Sequence, residues 1–193
     1  MTEQEKIISE ANKYVMPAVD DYLGARCLLL NNIFVGLTLA HEAVEKLMKA
    51  LLVLEGAAPG KSHSLAKLAE LLIQKDSRKY KFLNGQREFT RRLDQHYSWR
   101  YYDSDITKRS QSRSAEDLYL FDVLWIALHK LYMDFLPEDV RFRTIFLCYL
   151  LDEKLKGYTD WGKILQADNQ AIENDIASWK TKYKKIFDVH GDD

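Results

Sequence analysis

Leu37, Ala40, Val44, Leu47, Leu51 and Leu54 follow one another at alternating steps of three and four residues, which puts all six on one stripe of an α-helix that ends before Gly56. A strand cannot use this spacing, because its side chains alternate with period two. The helical period recurs along the chain. Phe89, Leu93, Tyr97 and Tyr101 return every four residues, and Leu118, Phe121, Leu124, Trp125, Leu128, Leu131, Tyr132 and Phe135 line a second long stripe. Ile172, Ile176, Trp179, Tyr183 and Ile186 make a last one. With 8 Gly and 3 Pro in 193 residues, turn signals are too sparse for the many short strands of an all-β chain. The expectation is an all-α fold, an antiparallel up-and-down helical bundle over residues 1–136 with a C-terminal helical extension, 137–193, packed on it.

Breakers and caps set the element boundaries. A helix is expected from Glu5 to about Asn31, as one long element or as two short ones, since Pro17 removes a backbone donor midway. Asn31 and Asn32 then read as a tight turn. Ser62 can cap a short helix whose buried face is Leu65, Leu68, Leu71 and Leu72. A fourth helix is expected from about Phe82 or Gln86 to Tyr101, followed by a polar loop from Asp103 to Ser114. Ser114 with Asp117 opens the next helix in the manner of a capping box, and Pro137 belongs to the first turn of a sixth, reaching Lys156. On the far side of the Leu37–Leu54 stripe, Glu42 with Lys46 and Glu45 with Lys49 are i,i+4 pairs in the favourable order, which explains them as ordinary helix stabilisers.

Several classes of function drop out. The longest uncharged stretch, Cys27 to Ala40, is 14 residues and contains two asparagines, short of the roughly 20 a membrane helix needs. The first residues carry mixed charges without an apolar signal core, so the expectation is a cytoplasmic chain. Cys27 and Cys148 read as small buried hydrophobes. His41-Glu42 begins a zincin-like pattern without its second histidine, and there is no phosphate loop or nucleophile elbow, so no metal and no cofactor is expected. Residues 61 to 113 hold 13 Lys and Arg against 6 Asp and Glu, whereas the rest of the chain holds 15 against 23. That split either forms one basic face able to attract phosphates or is dispersed over the surface in three dimensions.

Three further segments carry a resemblance. Leu39 to Val53, with Glu45-Lys46 and Lys49-Ala50 ahead of Gly56, resembles the second helix of the HEPN family. Lys61-Ser-His63-Ser-Leu65 is similar to the family's Thr-His-Asp-Leu helix start, and Tyr97-Ser-Trp-Arg100-Tyr101 to its Tyr-x-x-x-Arg-Tyr-Pro ending. The resemblance spans about Tyr22 to Phe135. It implies a bundle of four or five helices that dimerises and that binds RNA or nucleotide. In active members a metal-independent RNase carries an Arg-x4-6-His motif, which Arg91 to His96 fits by count. The resemblance then implies catalytic roles for Arg91, on the scissile phosphate, and His96, on a ribose hydroxyl proton. Arg87, Arg92, Arg100, Lys108, Arg109 and Arg113 would bind the nucleotide or RNA. It also implies a toxin–antitoxin or defence role, with a nucleotidyltransferase-type antitoxin as partner. Taken as residues alone, the charges of this helix fit equally the solvated face of an amphipathic helix, His63 fits a helix start, and the chain fits a non-catalytic binding or protein-interaction module.

Overall fold

A computed structural model describes residues 1–99, 114–141, 144–151 and 160–188, and among these every regular element is helical. Helix α1 runs Glu3–Leu30, α2 Gly36–Leu54, α3 Leu65–Lys75, α4 Arg87–Ser98 and α5 Ser114–Asp134; then follow α6 Glu138–Arg141, α7 Ile145–Leu151, α8 Trp161–Gln166 and α9 Glu173–Asp188. A 3-10 turn at Lys81–Gln86 leads into α4. None of the described helices is long and apolar enough to cross a membrane.

Helix α1 begins with a capping box: Glu5 N–H donates to Thr2 Oγ1 at 3.2 Å and Thr2 N–H to the Glu5 carboxylate at 2.6 Å. It continues through Pro17 as one helix. The bond that proline removes is local, whereas α1 packs along α2 for most of its length, and that packing outweighs it. The turn at Asn31–Asn32 is real. Asn32 takes a φ of 57°, and the Asn32 and Ile33 N–H groups close back on Leu29 and Leu28 at 3.0 and 2.8 Å. Gly36 then lets α2 start against α1, since a Cβ there would lie 2.8 Å from Leu29 Cγ and 3.1 Å from the Ala25 carbonyl oxygen. At its other end α2 stops in the same way, with Gly56 at φ +68° and Ala57 N–H bonded to Leu52 O at 2.8 Å.

Helix α2 is the centre of the bundle and touches α1, α3, α4 and α5. Its predicted stripe is buried from Leu37 to Leu51 and half-buried at Leu54, and much of the rest of its circumference is buried too: Ala43, Met48, Ala50 and Leu52 have no exposure. Each such leucine contributes roughly 1.5–3 kcal/mol relative to an exposed one. The consequence for the charges is a correction. Lys49 donates to Glu45 at 2.7 Å as the i,i+4 spacing predicts, but both residues are buried and not on a solvated face. Two boundaries also move. Ser64, and not Ser62, caps α3 by accepting from Lys67 N–H, while Ser62 Oγ accepts from Ser64 N–H at 3.2 Å. The expected sixth helix is two short ones, α6 and α7, and its predicted end at Lys156 lies outside the described residues, as does the end of α4 at Tyr101.

A buried polar network ties the segment after Pro137 to α1 and α5. Arg26, with no exposure, pairs with Asp122 and donates from Nε to Ile164 O at 3.1 Å and from Nη2 to Ala167 O. These carbonyls end α8, so the guanidinium caps a helix C-terminus. Tyr22 Oη donates to Asp122 at 2.7 Å, and Asn169 Nδ2 donates to Tyr22 Oη at 3.1 Å. Above this network Tyr22 stacks on Trp125 at 3.9 Å, Trp125 on His129 at 4.9 Å, and Phe146 of α7 packs against all three.

Candidate functional site

Helix α4 has a buried arc made by Phe89, Thr90, Leu93, His96 and Tyr97, and an exposed arc that includes Arg87 and Arg91. Arg87 and Arg91 are four apart and share a face. Neither forms an ion pair among the described residues. Arg92 leans the other way, toward the start of α5, with Nη2 3.2 Å from Asp117 and 3.9 Å from Glu116 and its guanidinium 5.6 Å from the Phe89 ring centre. Arg100, Lys108, Arg109 and Arg113 lie outside the described residues.

His96 is buried in an aromatic corner, 4.7 Å from Phe34 and 4.5 Å from Trp99 between ring centres, and its Nδ1 has no hydrogen-bond partner among the described residues. Burial first, and then the nearby Arg92 charge, pull its pKa down to about 4, so the ring is neutral at pH 7. Arg91 and His96 are not brought together. Five positions on a helix diverge by about 140°, and the former is exposed where the latter is buried. Arg92 and His96, four apart, are the pair that shares a face.

A second cluster forms where α2, α4 and the start of α3 meet. Asp94 reaches across from α4 to the first turn of α3, accepting from Leu65 N–H at 2.9 Å and from Ser64 Oγ at 3.2 Å. Its other partner is His41 Nε2 at 3.0 Å. Burial alone would raise the Asp94 pKa. The His41 bond and the Leu65 and Ala66 N–H groups outweigh it and hold the carboxyl below its ordinary value. A carboxylate at a helix N-terminus is doubly favoured, by the free N–H groups and by the dipole. His41 itself is fully buried and stacks on Tyr97 at 3.9 Å. One turn along α2, Glu45 accepts from His63 Nδ1 at 3.1 Å as well as from Lys49. The His41, Glu45, Asp94 and His63 constellation was not legible as a unit, because four residues from three elements carry no common spacing. The one hint was that the family-like segments at Glu45 and His63 fall on either side of the same loop. Among the described residues no group of three or more His, Cys, Asp or Glu is placed to hold a metal ion.

No curated protein and no solved structure matches the chain. A scan against family models does: residues 34–120 match the HEPN domain. The match starts at Phe34, beside His96, and takes in all of α2, α3 and α4 with the first turns of α5. The helical bundle, the family-like segments at Glu45 and His63, and this match agree, and residues 34–120 are similar to the HEPN domain.

Proposed function

We propose that this protein is a HEPN module that binds RNA or nucleotide through phosphates along the exposed side of α4. The observation that carries the reading is the pair Arg87 and Arg91, two exposed guanidiniums one turn apart that form no ion pair among the described residues. Guanidinium groups of this kind attract phosphate through charge and paired hydrogen bonds. Lys108, Arg109 and Arg113 would extend the same positive charge. Binding of single-stranded RNA should weaken as salt rises, with log affinity falling by about 0.7 per neutralised phosphate for each unit of log salt. An Arg87→Ala, Arg91→Ala double variant should lower that slope by about 1.4 if each arginine neutralises one phosphate. An unchanged slope would remove the site.

Finer parts of the reading rest on the family. A homodimer is expected, and sedimentation checks it: a single species at 22.6 kDa would sink it. A toxin–antitoxin or defence role, with a nucleotidyltransferase-type partner, belongs to the same proposal. So does RNA cleavage by Arg91 and His96, which would need the pair to be completed across two copies, because within one chain they point apart. That divergence favours the non-catalytic binder as the second reading. RNA bound at low salt and recovered intact would decide for it.

A further inference from the structure

The described histidines divide sharply. His41, His96 and His129 are buried, whereas the His63 side chain is 62% exposed. Its Nδ1 lies 3.1 and 3.2 Å from the two oxygens of Glu45. A carboxylate only accepts, so Nδ1 carries the hydrogen, and the neutral ring presents the lone pair of Nε2 to solvent. Glu45 is 4% exposed and stands on the central helix, held from below by Lys49 at 2.7 Å. Behind it His41 turns Nδ1, without a hydrogen-bond partner among the described residues, toward Glu45 Oε2 at 3.8 Å. The groups around Glu45 are therefore Lys49, His63 and His41, with Asp94 beyond His41 and Tyr97 stacked on the rings of both histidines. The carboxylate is fixed from within, so the outer imidazole is fixed too.

An imidazole oriented through Nδ1 by a buried carboxylate, with Nε2 open, is what a general base requires. Positive charge stands on the same side. Arg91 is three residues before Asp94, about 60° from it around α4, on the edge of the helix that meets Ser64 next to His63. Lys61, also exposed, is two residues before His63.

We infer that His63, oriented by Glu45, is the proton-transfer group of a site that cleaves single-stranded RNA, an assignment that rests on the RNA-binding reading above. Nε2 takes the proton of a ribose 2′-hydroxyl, and that oxygen forms a bond to the adjacent phosphorus. The bond from phosphorus to the 5′-oxygen breaks with its electron pair. The departing oxygen takes a proton from water, and His63 returns its own to solvent, leaving a 2′,3′-cyclic phosphate and a 5′-hydroxyl. Arg91 offsets charge on the phosphate, and Glu45 is a positioning residue.

The test uses the full chain and a single-stranded RNA oligonucleotide. His63→Gln should lower the cleavage rate about 100-fold or more and leave RNA affinity within a few-fold, because a proton-transfer group acts on rate. Glu45→Gln should lower the cleavage rate with RNA affinity within a few-fold, and should weaken the Nδ1–H preference of His63, because an amide can donate to Nδ1 as well as accept from it. Nitrogen-15 NMR of the uncleaving, RNA-free protein should find His63 in the Nδ1–H tautomer. Undiminished cleavage by His63→Gln, or an Nε2–H tautomer, overturns the inference. Wild-type protein that binds RNA without cutting it also overturns the inference and leaves the binding reading in place. Protein that binds no RNA removes both.

Discussion

Two polar networks in this bundle use the same kinds of group to different ends. Arg26, Asp122, Tyr22 and Asn169 are closed off from water and link α1 and α5 to the end of α8. Glu45, His41, Asp94 and His63 begin equally deep but end at an imidazole in solvent. The first uses its hydrogen bonds to hold together helices that would otherwise part, and all four of its side chains are closed off from solvent. The second keeps one ring nitrogen open. Burial of an ionic group thus marks architecture in one place and, where the chain of bonds surfaces, candidate chemistry in the other.

The comparison breaks most visibly at Asp122. Asp122→Ala leaves the Arg26 guanidinium buried without its counter-charge, and unfolding in urea should show a loss of about 3–5 kcal/mol. A loss below about 1 kcal/mol would mean that the inner network is dispensable and the contrast false.

A smaller effect belongs to His129, whose two ring nitrogens have no hydrogen-bond partner among the described residues. Burial holds its pKa down to about 3, against 6.5 for a free histidine. The folded state therefore resists protonation that the unfolded chain accepts. Its contribution to stability is full above pH 6.5 and is lost as pH falls toward 3, at about 1.4 kcal/mol per unit. Between pH 7 and pH 5 that is about 2 kcal/mol. His129→Leu should remove this part of the acid sensitivity and be no less stable at pH 7. Equal pH slopes for wild type and variant would refute the assignment.

The smallest effect sharpens the comparison from the other side. His63→Gln removes an exposed partner of Glu45 while Lys49 remains, so stability should change by no more than about 0.5 kcal/mol. Thermal unfolding would show it. A loss comparable with that of Asp122→Ala would make His63 a structural clamp and put it in the same class as Arg26.

How much of this could be read along the chain differs between fold and site. The period of three and four residues carried the helices, the glycine and asparagine positions carried the turns, and the family-like segments lie within the matched region. Local rules failed where a choice depended on a neighbour distant in sequence. Pro17 was ambiguous because only packing against α2 keeps α1 continuous. Ser64 caps α3 in place of Ser62, and Asp94, 29 residues from Leu65, supports the same turn. Arg91 and His96 matched a pattern by count, but a count along the chain does not say which faces of a helix meet.

What the sequence determined by itself is the class of fold and the likeness of residues 34–120 to the HEPN domain, since both follow from hydrophobic period and short-range motif, which are properties of neighbouring residues. What the tertiary structure alone decided is which charges are buried. Glu45 and Lys49 look like any surface pair until four other helices close around α2, and Arg26 looks like any solvated cation until the end of α8 is placed upon it. The cost of burying a charge depends on the whole surroundings of the group and not on its position in the chain.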